Sequence, residues 1–133
     1  MSIAQQSLTE PAAVVGEIAA AWQEHDAERF ARAFVPDGSM ILPGAFVRGQ
    51  DAIRDFMQQA FDGPYRGTQV VGTPVAVRPL GAEVVIVNTE GGVVRAGESE
   101  LAPDQSVNAT WVLARHSDGW RLASYQNTTR TQA

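Results

Sequence analysis

The order of hydrophobic patterns along the chain constrains its fold more than any other feature. Up to Pro64 the apolar residues recur at helical spacing, with one short β-like interruption; from Tyr65 onward β-branched residues dominate. This second half divides into four long runs, 65–79, 82–94, 106–116 and 120–128. Leu80-Gly81 and Ser117-Asp118-Gly119 are tight enough to be hairpin turns, so the runs are predicted to pair antiparallel. Pro74 and Pro79 cannot donate to a ladder and belong at an edge, bulge or strand end. Helices followed by a meander predict an α+β domain, its helices packed on one face of a single curved, mainly antiparallel sheet.

Within the first half, Thr9-Glu10-Pro11 has the signature of a helix start, and Val15, Ile18 and Trp22 form one stripe up to about His25. Asp26 is placed to cap a second helix carrying Phe30 and Phe34 at i, i+4, stopped by Pro36-Asp37-Gly38. Two short strands, 39–42 and 45–47, flank the turn signal Pro43-Gly44. A third helix follows, with Ile53, Phe56, Met57, Ala60 and Phe61 as its apolar stripe and Gly63-Pro64 as its end.

At 133 residues the chain is predicted to be a single domain with a core from about 11 to 128 and short tails, long enough to bury a core without disulfides or metal. It has no cysteine, which excludes disulfides, thiolate nucleophiles and cysteine-held metals. A net charge of -5 leaves no basic excess to grip a phosphate backbone, so nucleic acid is not expected as a partner. No apolar run reaches the length of a membrane span and the first residues lack a signal-peptide pattern; no membrane association and a cytoplasmic location are expected.

With this element order, the phrases Phe34-Val-Pro-Asp-Gly38 and Arg48-Gly-Gln-Asp-Ala-Ile53 resemble the nuclear transport factor 2-like superfamily, the cone-shaped fold of ketosteroid isomerase and the SnoaL-like polyketide cyclases. The segment from Asp118-Gly-Trp-Arg to Thr128 is similar to the SgcJ/EcaC branch, which includes proteins of enediyne polyketide biosynthesis. The resemblance covers about residues 11–128. It implies a cone whose pocket lies between sheet and helices, a homodimer paired through the convex sheet face, and a polyketide synthase or other pathway enzyme as partner. Aligned on these motifs, the isomerase's base falls on Leu42, its tyrosine on Ile18 and its acid near Trp111. None of the three can perform the role of its counterpart, so that mechanism does not carry over.

Other constellations are weaker. His116-Ser117-Asp118 are consecutive hairpin residues that cannot converge as a triad. His25 and His116 have no partner at ligand spacing, and neither a metal site nor a cofactor is expected. Gly91-Gly92 lacks the strand-to-helix setting of a phosphate loop and reads as a bulge or bend. Glu98, Glu100 and Asp104 read as a solvated acidic loop, and Asp37 and Arg48 as turn and strand-end groups.

The candidate site therefore consists of strand polar groups and a large apolar lining. Trp22, Met40, Leu42, Phe56, Met57, Phe61, Val87 and Trp111 fall on stripes expected to face inward. Among polar residues, Thr89, Asn108, Ser124 and Gln126 are assigned to the pocket; Ser124 and Gln126 follow from an inner register of 120, 122, 124, 126 and 128, which a one-residue shift would replace with Tyr125 and Asn127. Glu90 is the one candidate acid-base group on a strand. A flat, hydrophobic small molecule such as a polyketide intermediate suits this lining. Two functions stay open: a cofactor-independent cyclase- or isomerase-like factor acting on or shaping that intermediate, and a non-catalytic accessory module that binds a ligand or a partner protein with the same cone. The direction in which Glu90 faces discriminates between them.

Overall fold

A computed structural model describes residues 3–130, with side chains from Glu10 onward. The elements are α1 (Ile3–Gln23), α2 (Ala27–Arg32), β1 (Phe34–Leu42), β2 (Ala45–Arg48), α3 (Gln50–Asp62), β3 (Gln69–Leu80), β4 (Val84–Val94), β5 (Ser106–His116) and β6 (Gly119–Thr129), with a short 3-10 turn at Pro103–Gln105. One six-stranded sheet runs in the order β2-β1-β6-β5-β4-β3, antiparallel except where β1 meets β6. The helices cover its concave face, and the core joins Trp22, Phe30, Met57 and Phe61 of the helical layer to Phe34, Met40, Val87, Leu113 and Leu122 of the sheet. This is the α+β cone expected from the element order.

The first half departs from expectation in two places. Helix α1 begins at Ile3 and runs through Pro11, whose ring is fully buried; Thr9 and Glu10 are helix interior rather than a start. Helix α2 is capped by Asp26, which accepts from the Arg29 amide at 3.0 Å, but it stops at Arg32. The Leu122 amide donates to the Ala33 carbonyl at 2.8 Å, drawing the chain out of the helix and making Phe34 the first residue of a strand. Pro36-Asp37-Gly38 thus forms the irregular stretch of β1, where the register against β6 shifts between Phe34 and Ser39.

The meander follows its turn signals closely. The hairpin closing at Leu42 and Ala45 uses Pro43-Gly44, with Gly44 at φ +82, a conformation that favours glycine. β3 is an edge strand, and Pro74 adjoins its bulge against β4. Two consequences for the site follow from local geometry. At Gly91 an added Cβ would run into the Val71 carbonyl oxygen and come within 2.6 Å of the Gly72 Cα, so β3 and β4 approach too closely there for any side chain. In β6, Leu122 pairs with Leu113 while Ser124 pairs with Val112, leaving Ala123 as an extra residue that reverses the facing of everything after it.

Gly91→Ala is expected to lower the free energy of unfolding by an amount on the order of 3 kcal/mol, because backbone rather than a flexible side chain must yield. Gly16→Ala in α1, where a Cβ meets nothing within 4 Å, is expected to raise it by up to about 1 kcal/mol. Urea titrations of the two variants followed by circular dichroism check both signs.

Candidate functional site

Between the concave face and the helices lies a cavity of about 560 Å³. Its wall is overwhelmingly apolar and aromatic: Trp22 and Phe30 from the helical side, Phe34, Met40 and Leu42 from β1, Met57 from α3, and Val107, Trp111 and Leu122 from the central strands. The indole N–H groups that such a wall would strand are satisfied locally. Trp22 Nε1 donates to Thr68 Oγ1 at 3.1 Å, and Trp111 Nε1 to Thr89 Oγ1 at 3.0 Å. Thr68 Oγ1 in turn donates to the Tyr65 carbonyl at 2.6 Å, and His25 Nε2 donates to the Thr68 carbonyl at 2.9 Å. His25 is therefore a structural group in the corner between α1 and α2, at φ +53 and stacked 5.0 Å from Phe61, rather than a ligand.

One corner of the cavity is polar. Beyond the bulge at Ala123, Tyr125 and Asn127 face inward, and the Asn127 Nδ2 donates to Tyr125 Oη at 2.9 Å. Tyr125 stands opposite Trp111 in the ladder, with the rings edge-on at 4.6 Å. Across the cavity Tyr65 packs on Trp22 at 4.7 Å. Burial pushes both phenols above the usual tyrosine value; for Tyr125, the Asn127 hydrogen bond opposes that shift and the nearby Tyr65 adds to it. Asn127 Oδ1 is buried with no hydrogen-bond partner, the sole such side-chain atom among the described residues.

The sequence-assigned residues divide cleanly. Trp22, Met40, Leu42, Met57, Thr89 and Trp111 line the cavity. Phe61 and Val87 are buried in the core behind it and Phe56 is half-buried against that core, so these three support the wall without forming it. Ser124, Gln126 and Asn108 are on the opposite side. Ser124 Oγ is 3.2 Å from Ser39 Oγ, and Asn108 and Gln126 line a shallow convex depression with Asn88, Thr110 and Thr128. The inward register expected from the sequence holds to Leu122 and reverses beyond it, because Ala123 bulges. Glu90 is also on the convex side, 3.4 Å from Arg130. Among the described residues Asp104 is the one carboxylate or basic side chain lining the cavity; it sits at the mouth, paired to Arg95 at 2.6 Å.

Tyr65, which the sequence presents as the start of a strand, lies in the turn between α3 and β3 and lines the cavity, a placement that no local pattern signals. The three positions aligned with the isomerase's acid-base groups, Leu42, Ile18 and Trp111, all line the cavity. Hydrocarbon or indole stands where that mechanism needs a carboxylate or phenol. Among the described residues no cluster of His, Asp and Glu could hold a metal ion, and no helix is long and apolar enough to cross a membrane.

A cone of this kind places the chain among proteins with cystatin-like folds. The SnoaL-like domain model matches residues 12–128, and the chain belongs to that family. Among solved structures, a cystatin-like domain of unknown function from Nostoc punctiforme is 24% identical, with a TM-score of 0.86, covering 99% of this chain and 81% of that one. An NTF2-like protein from Novosphingobium aromaticivorans is 19% identical, with a TM-score of 0.83 and coverage of 97% and 85%. A ketosteroid isomerase-like protein from Erwinia carotovora atroseptica is 18% identical, with a TM-score of 0.74 and coverage of 94% and 97%. These likenesses establish the fold. No curated protein matches the chain.

Tyr65 and Tyr125 are the only tyrosines in the chain, so phenolate absorbance near 295 nm reports on these two residues alone. In native protein both are expected to ionise above the ordinary value of about 10. The unfolded chain releases these protons first, so their contribution to stability is full below about pH 10 and is lost as pH rises through the native values. Native titration at the ordinary tyrosine value, matching that in denaturant, would contradict the burial described here.

Proposed function

We propose that the protein is a small-molecule pocket protein that encloses and shapes a flat, hydrophobic guest, with a polyketide intermediate of secondary metabolism as the chemical type that suits it. The observation that carries this reading is the cavity itself: aromatic walls whose N–H groups are already satisfied, and one neutral polar corner at Tyr125 and Asn127. Burying apolar surface in such a site drives uptake, and the corner orients what enters. Membership of the SnoaL-like family and likeness to a ketosteroid isomerase-like protein support a small-molecule role. The outward Glu90 and the hydrocarbon at Ile18 and Leu42 favour binding and shaping, the accessory role, over proton transfer by a buried carboxylate.

The convex face supports pairing with a second copy. Ile41, Phe46, Val75 and Leu80 are exposed, with Ile41 and Phe46 at one sheet edge and Val75 and Leu80 at the other. Pro74 and Pro79 keep the β3 edge from extending the sheet, so face-to-face packing about a twofold axis, which sets one copy's Phe46 edge over its partner's Val75 edge, is the arrangement that covers them. Light scattering is expected to give twice 14.3 kDa, and a mass of 14.3 kDa at every concentration would exclude the pairing.

Nile red, a neutral flat dye that brightens in apolar surroundings, tests the pocket. Wild type is expected to bind it at micromolar concentration. Gly16→Trp, which adds a large side chain where α1 borders the cavity and has open space, is expected to weaken binding at least about tenfold with an unchanged circular dichroism spectrum. Equal brightening with both proteins would place the dye elsewhere and count against the reading.

A further inference from the structure

The geometry points to a specific group on the guest: a neutral hydroxyl, phenolic or enolic, that takes a hydrogen bond from Tyr125 and gives one to Asn127. This inference rests on the reading of the cavity as a small-molecule pocket. The bond from Asn127 Nδ2 to Tyr125 Oη uses one amide hydrogen and one phenol lone pair. The phenol hydrogen, the second amide hydrogen and the amide oxygen remain, on neighbouring inward positions of β6, and Asn127 Oδ1 has no partner. Turning the amide over makes the phenol the donor and leaves both amide hydrogens and a phenol lone pair, so a single hydroxyl still finds a donor and an acceptor at this corner. Asn127 lines the cavity, and rotation about its soft terminal torsion carries the amide to an incoming group.

A hydroxyl is the smallest group that answers both demands with one oxygen. A ketone or an ether accepts from the phenol and leaves Oδ1 unpaired, with the desolvation cost that a buried orphan carries. A carboxylate would bring a charge into a wall with no basic residue among its described members. The indole groups do not compete, because Thr68 and Thr89 already hold them. A phenol at its ordinary value of about 10 is protonated at neutral pH, and burial only raises that value here, so the donor is present when the guest arrives. The aromatic rings around the corner then select the frame that carries the hydroxyl, flat and apolar.

Calorimetric titration at pH 7 with 2-naphthol, 2-methoxynaphthalene and naphthalene separates the contributions, because the three share a frame and differ in what they can donate and accept. Wild type is expected to bind 2-naphthol at least about tenfold more tightly than 2-methoxynaphthalene. Tyr125→Phe keeps the ring against Trp111 and removes only the hydroxyl; Asn127→Leu removes the amide. Each is expected to bring the two affinities within about twofold of one another while naphthalene still binds, which also shows that the variant is folded. A wild-type ratio near one, or a ratio that survives in whichever variants retain naphthalene binding, overturns the inference and leaves the pocket reading standing. Failure of wild type to bind any of the three overturns both.

Discussion

An extended strand sends successive side chains to opposite faces of its sheet, and one additional residue, Ala123, therefore decides what the cavity contains. With Leu122 held inward against Phe34 and Leu113, the extra residue turns Tyr125 and Asn127 toward the concave side and Ser124 and Gln126 away from it. Without that bulge the central strand would present Ser124 and Gln126 to the guest, and the phenol and amide would lie on the convex face. The neighbouring strand is irregular at the same level: β1 shifts its register between Phe34 and Ser39, where a Cβ added at Gly38 would come within 3.1 Å of the Phe34 ring. Two irregularities face each other across one parallel junction, and the site's chemistry depends on both.

The helical layer is fastened over this sheet by polar contacts rather than by apolar packing alone. Trp22 on α1 reaches Thr68 just before β3, and the same threonine accepts from His25 through its carbonyl, tying the α1–α2 corner to the segment after α3. On the outside of that corner Arg29 bonds Glu17 and Glu24; its hydrogen bond holds the Glu17 carboxyl below the usual carboxylate range. Exposed pairs of this kind contribute little to stability, so the buried threonine hub is the more important restraint. It also spends the one polar group that Trp22 would otherwise offer a ligand.

What results is a cavity that can grip but has few means to move protons. Its one charged lining residue, Asp104, is at the mouth and engaged with Arg95. Its buried titratable groups are two phenols, whose ionisation burial pushes still further above the neutral range. Shape, aromatic surface and a single directed polar contact are what such a site offers, and they are the features on which the proposed binding role rests.

The sequence alone determined the architecture, because helical and strand periodicities and turn residues act over a few neighbours: the meander, the Pro43-Gly44 hairpin, the edge placement of Pro74 and the cap at Asp26 were all legible. It also marked part of the apolar lining, Trp22, Met40, Leu42, Met57 and Trp111, since large residues on inward stripes pack either on the cavity wall or in the core behind it. Only the tertiary structure decided the rest. Whether Phe34 ends a helix or begins a strand depends on the Leu122 amide nearly ninety residues away in sequence. Whether Pro11 starts a helix or lies inside one depends on the interior that buries its ring. The facing of Tyr125 and Asn127 depends on which strand pairs slip past one another at Ala123, and no local pattern encodes such a slip, because a bulge is stabilised by the partner strands rather than by the residues that form it.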